Sequence, residues 1–260
     1  MSEIKLMPEN TLEIKSKKPF FARRGRTIVY ILSAIIAFAI YIGVTSQISI
    51  IDLRNIRIAE FFGFAAFTYL YVALLISPFY FVFPNAPFRK QVLHARRAIG
   101  ISTFLFALLH ACISFFDLLQ GFAGLPFLGD RQILDMWLGA IALFILFLMA
   151  ATSFDYFFDK MGKWWGRLHR FVYLAGAIIM VHVIAVGSHF TNLSRPIPVA
   201  VMTLVFALLA LQSFRFAKLL EKKTGNKNIN QIAISILLFI LLATYFYMLF
   251  VAKSASIHRH

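Results

Sequence analysis

The segment "WWGRLHRFVYLAGAIIMVH", from Trp164 to His182, puts one histidine at the mouth of an apolar run and a second inside it. A third, His110, lies inside another run, "TFLFALLHACISFFD". An ionisable side chain deep in an apolar helix is costly, so it normally faces a bundle interior and meets a partner, a cavity or a metal. Neutral imidazole offers a nitrogen lone pair. Two imidazoles facing one another across a bundle can hold haem iron in a six-coordinate b-type centre, which carries electrons without an open coordination position. The competing reading makes each a core histidine bonded to a carbonyl, a hydroxyl or water. His110 and His182 sit at similar depth, because both follow the starts of their apolar runs by about the same distance and both runs cross in the same direction.

His169, in "RLHR", precedes His182 by thirteen residues, about 20 Å of helical rise and comparable to the spacing of two stacked haems. On an ideal helix the two side chains differ in direction by about 140°. Either the helix is distorted between them or two haems would be approached from different sides. The inner partner that a second haem needs is not evident, since Arg96 and His94 stand where span three reaches that level. Arg96, Arg97, Arg167 and Arg170 could bind haem propionates, anionic lipid or a flavin phosphate, or serve simply as flanking charges of a membrane protein. Cys112 is the single cysteine, which excludes an intramolecular disulfide and a thiolate cluster.

The elements that position these groups are hydrophobic spans. Sixty per cent of the 260 residues are hydrophobic and only 14% charged, 30 are phenylalanine, and the mean hydropathy is +0.79. That balance is a membrane protein's. Seven runs are predicted to cross, at 27–47, 59–83, 98–116, 135–153, 170–187, 196–214 and 231–251. Pro84 and Pro87 interrupt helix between the second and third, and "LQGFAGLPFLGDRQILD" joins the third to the fourth with room for a short interfacial helix. Every connection is short, so a cytosolic nucleotide-binding module would have to be another chain.

Charge sorts between the connections. The tail 1–26 and the segments 84–97, 154–170 and 215–230 carry 20 of the 26 lysines and arginines. By the positive-inside rule these face the cytoplasm, so the chain is expected to be a multi-pass protein of the plasma (inner) membrane with a cytoplasmic N-terminus. This accounts for the net charge of +15 without nucleic acid, with membrane lipid as the anionic partner. The first span follows a charged tail and lacks a small-residue cleavage signature, so it reads as a retained helix. The organisation is then a basic tail over 1–26, a core over 27–215, and a cytoplasmic loop with an extra helix over 216–260.

"RRAIGISTFLFALLHA" (96–111) and "WWGRLHRFVYLAGAIIMVH" (164–182) resemble the paired signatures of the ferric reductase-like transmembrane domain superfamily. Within it the similarity is to the haem-binding membrane subunits of bacterial methionine sulfoxide reductase systems. It covers roughly residues 60–215 and includes the arginine pair, Gly100, Phe104 and His110, then Trp165, Leu168, His169, Arg170, Tyr173 and His182. "WLGAIALFILFLMAATSFDYF", with Thr152 and Ser153, resembles the fourth span of that group. The resemblance implies an all-α integral membrane protein: a six-helix bundle binding b-type haem, here followed by a seventh C-terminal transmembrane helix. It implies His110 and His182 as the axial pair and His169 as a ligand of a second, inner haem, with Arg96, Arg97 and Arg170 as further cofactor-binding residues. Two-haem relatives carry a histidine where this chain has Arg96, which leaves the inner ligand set open.

In such systems a cytoplasmic flavin reductase or quinol supplies electrons, a flavin mononucleotide is associated with the membrane subunit, and an outer-side redox enzyme accepts them. The expected function is therefore electron transfer across the membrane through one or two haems. A metalloreductase that delivers electrons to ferric or cupric ions outside is the first alternative. A haem-free structural or transport subunit, in which the deep histidines serve a polar pocket, is the second.

Overall fold

In a membrane every backbone N–H and C=O must be satisfied within the protein, and helices do this segment by segment. The computed structural model describes residues 20–186, 196–225 and Ile236, and its regular elements are all helical. In chain order they are α1 (Phe20–Gln47), α2 (Ile51–Val82), α3 (Arg89–Cys112), α4 (Asp130–Ala151), α5 (Asp155–Met161), α6 (Lys163–Leu168), α7 (Phe171–Val186) and α8 (Pro196–Thr224). A π-helical turn, Ile113–Leu118, prolongs α3, and a 3₁₀ segment, Gly121–Phe127, leads towards α4.

Five of these, namely α1, α2, α3 with its π turn, α4 and α8, are long and apolar enough to cross a membrane. The fifth predicted span corresponds to α7, whose described residues, Phe171–Val186, number 16. The seventh, at 231–251, lies outside the described residues apart from Ile236. Boundaries also move. The second span begins at Ile51 rather than 59, and α3 begins at Arg89 rather than 98, directly after the proline-broken turn in which Tyr80 donates to the carbonyl of Pro87 at 2.9 Å. The sixth continues past 214 to Thr224. Amphipathic ends of this kind lack the continuous apolarity that marks a span, yet they extend the helix into the interface.

Helix α2 is the centre of the bundle and packs against α1, α3, α7 and α8, while α4 bridges α3 and α7. Helices α2, α3, α4 and α7 thus close a ring. Lipid is as apolar as leucine, so association depends on close packing and interhelical hydrogen bonds. Both are present. Ala98, Ala142 and Ala175 are buried where helices meet. The Ser33 hydroxyl of α1 lies 2.9 Å from that of Ser102 on α3 and 3.1 Å from Tyr69 on α2. Tyr71 of α2 donates to the Gly176 carbonyl of α7 at 3.0 Å. The core around these ties consists of Phe67, Leu70, Tyr71 and Leu74 of α2 with Leu146, Val172 and Leu208 of three neighbouring helices. Isoleucines along α1 stay exposed, as a helix at the lipid boundary requires.

Candidate functional site

His110 on α3 and His182 on α7 face each other across the ring, with ring centroids 6.4 Å apart and planes at 74°. The similar depth expected from the sequence therefore becomes proximity. His110 Nδ1 lies 2.8 Å from the main-chain oxygen of Ala59 on α2, and His182 Nδ1 lies 2.9 Å from that of Asp135 on α4. A carbonyl can only accept, so each Nδ1 carries the proton and each Nε2 keeps its lone pair. Metal-ligating histidines are commonly oriented in this manner, with the outward N–H held by a backbone carbonyl or carboxylate.

The separation can be tested against a metal centre. A metal–imidazole bond is about 2 Å, and the ring centre lies about 1 Å behind the ligating nitrogen, so two collinear axial imidazoles place their centroids about 6 Å apart. The observed 6.4 Å fits. Both histidines line a cavity of ≈ 1170 Å³ inside the α2–α3–α4–α7 ring, large enough for a tetrapyrrole. Its walls are Phe67, Leu143, Leu146, Ile179 and Val183, whereas Arg57, Glu60, Arg131, Gln132 and Asp135 gather where α2 and α4 begin. One end is apolar and the other charged, matching an amphiphilic ring that carries two carboxylates on one edge. Arg57 holds Glu60 at 2.7 Å, and Asp135 is only 8% exposed.

The other sequence candidates lie away from this cavity. His169 occupies the break between α6 and α7, so the helix is interrupted between His169 and His182, one of the two arrangements that the 140° difference allows. Its ring stacks on Trp165 with centroids 3.8 Å apart, Nδ1 is 3.1 Å from the Trp165 carbonyl, and Nε2 is 3.4 Å from the Ser153 hydroxyl. Burial, with Arg97 and Arg96 nearby, holds this imidazole below its ordinary range against the pull of the Trp165 carbonyl. Arg96 reaches across to Ser77 of α2 at 2.6 Å. Arg97 pairs with Asp155 at 3.0 Å and covers the rings of Phe158 and Trp165. Arg26 of α1 approaches the same carboxylate at 3.9 Å. Arg170 is exposed. These groups form a basic and aromatic cluster at the opposite end of the ring from Arg57 and Arg131, and among the described residues no set of three histidine, cysteine or acidic side chains could hold a metal ion.

Sequence reasoning missed the carbonyls of Ala59 and Asp135 and the rim residues Arg57 and Arg131. The arginines carry a weak signal, since they are two of the few cations expected on the outer side. The carbonyls carry none, because every residue has one.

Comparison with known proteins adds a family. Residues 62–181 match the family described as ferric reductase like transmembrane component. The protein-methionine-sulfoxide reductase heme-binding subunits MsrQ of Salmonella dublin and of Salmonella enteritidis PT4 are each 32% identical over 164 residues, which is 61% of this chain and 76% of theirs. No solved structure matches the chain.

Proposed function

The chain is a helical, multi-span member of the ferric reductase-like transmembrane family and is MsrQ-like; from that premise, we propose that it carries electrons across the plasma membrane through a b-type haem held by His110 and His182. The facing pair, 6.4 Å apart with both Nδ1 protons on main-chain carbonyls, is the observation that carries this reading. Bound there, haem supplies one-electron chemistry at iron.

The residues prepare the site for electron transfer rather than for substrate binding at the metal. His110 and His182 would hold the haem with two protein imidazoles, a ligand set that would favour electron transfer over binding of a substrate at the metal. The carbonyls of Ala59 and Asp135 fix the tautomers and raise the basicity of the imidazoles. Phe67, Leu143, Leu146 and Ile179 keep water from the apolar end. Arg57 and Arg131 stand where the carboxylates of the ring would emerge, at the end assigned to the outer side by the charge distribution. There the acceptor docks; by analogy with the named relatives it is a methionine sulfoxide reductase. The donor, a cytoplasmic flavin reductase or quinol, meets the opposite end, where His169, Trp165, Arg96 and Arg97 cluster. A flavin mononucleotide would belong to this end. Since His169 faces Trp165 and Ser153 in place of a second imidazole, one haem per chain is the reading adopted.

The test is a reduced-minus-oxidised spectrum of detergent-purified protein with a pyridine haemochrome assay. A sharp b-type α band with about one haem per chain is expected. His110→Ala and His182→Ala should each abolish the low-spin signal, and His169→Ala should retain it. Normal haem in both deep-site variants would overturn the ligand assignment.

A further inference from the structure

The two deep histidines are held by one device, built twice. Ala59 and Asp135, whose carbonyls receive the Nδ1 protons, each stand four residues before a glycine on the same helix: Gly63 on α2 and Gly139 on α4. In an α-helix the carbonyl of residue i already accepts the N–H of residue i+4, and the Cα–Cβ bond at i+4 tilts back towards the N-terminus, over that carbonyl. A second donor can reach the oxygen from the side only if that flank is bare.

Glycine makes it bare at both places. A Cβ at Gly63 would stand 2.9 Å from His110 Nδ1 and 3.1 Å from its Cε1. A Cβ at Gly139 would stand 3.2 Å from His182 Cε1 and 3.6 Å from each of its ring nitrogens. Ordinary carbon contacts begin at about 3.5 Å, so a methyl at Gly63 would displace the imidazole and one at Gly139 would press on it less. The glycines at 43 and 100, also inside helices, have nothing within 4 Å of the corresponding point. At Gly176 of α7 the close neighbour is the flexible end of Leu74, at 3.1 Å, so Gly63 and Gly139 are the helical glycines whose bare flank meets a histidine ring.

Resting on the haem reading above, we infer that Gly63 and Gly139 are positioning residues for the two axial imidazoles. By opening the Ala59 and Asp135 carbonyls they set the place, the rotation and the basicity of each ring, and so the potential of the centre. A methyl group that lifts a ring from its carbonyl weakens the Nδ1–H···O bond. The imidazole then becomes a poorer donor, the oxidised iron is stabilised less, and the midpoint potential rises. Rotation of the ring about its axis also alters the 74° between the ligand planes, to which the low-spin electron paramagnetic resonance spectrum responds.

The experiment compares the purified full chain with its Gly63→Ala, Gly139→Ala and Gly100→Ala variants by haem content, potentiometric titration and electron paramagnetic resonance. Gly63→Ala should raise the midpoint potential, shift the low-spin g values and weaken haem retention on the order of tenfold, the scale of a lost outer-shell partner. Gly139→Ala should shift the same quantities in the same direction by less, and Gly100→Ala should superimpose on the parent. Wild-type potential and spectrum in Gly63→Ala would overturn the inference. Should that variant fail to accumulate in the membrane, Gly139→Ala and Gly139→Ser decide it: graded shifts support the role, and parental values in both reject it. Absence of haem from the parent protein would instead reject the haem reading itself, whereas haem that is present but indifferent to both glycines rejects only the positioning role.

Discussion

The role of a residue in this site depends on which of its atoms is used. Asp135 is nine-tenths buried beside His182, and it is its main-chain oxygen, not its carboxylate, that accepts from the imidazole. Asp135→Asn should therefore leave haem content unchanged. Removing a negative charge from the cavity should also raise the midpoint potential, because the oxidised, more positive state loses a favourable neighbour. Potentiometry with a haemochrome assay checks both; loss of haem would mean that the carboxylate is the true anchor. Gly63 and Gly139 illustrate the same point from the other direction. Each sits inside an apolar helix, where glycine costs about 1 kcal/mol relative to alanine, and that cost was the available sequence signal that something needs the space.

At the scale of elements, the ring of α2, α3, α4 and α7 is held by small contact residues and a few hydrogen bonds. Tyr71 is the clearest tie, stacked on Phe67 at 4.4 Å and donating to Gly176 of α7. Tyr71→Phe keeps the ring and deletes the interhelical bond. It should cost about 0.6 kcal/mol and at most about 1.7 kcal/mol, read by detergent-induced unfolding of the purified protein. Haem should remain, since the histidine carbonyls belong to α2 and α4 and stay in place. The shorter elements α5 and α6 lay hidden in the segment read as a loop, 154–170. Seven- and six-residue helices are too brief for periodicity to reveal, and it is contacts such as Arg97 with Asp155 and with the rings of Phe158 and Trp165 that hold them to α3.

For the whole molecule, the proposed orientation rests on the charge of the connecting segments. Reporter fusions in the segments 84–97 and 154–170 should report a cytoplasmic location and fusions in 119–129 an outer one; the reverse pattern would invert the proposed direction of electron flow. Arg57 and Arg131 lie opposite the basic cluster of Arg26, Arg96 and Arg97, so in the proposed orientation the charged end of the cavity faces the outer side. By itself the sequence determined the helical class, the membrane setting and the identity of the two deep histidines. Each of these rests on a costly transfer into hydrocarbon, which composition and position reveal directly. Only the tertiary structure decided that His110 and His182 meet, that His169 stacks on Trp165 at the other end, and that the carbonyls of Ala59 and Asp135 hold the rings. Those outcomes depend on which faces of α2, α3, α4 and α7 turn inward. A uniformly apolar helix such as α2 does not specify its inward face through periodicity, because lipid and protein interior suit its side chains almost equally well.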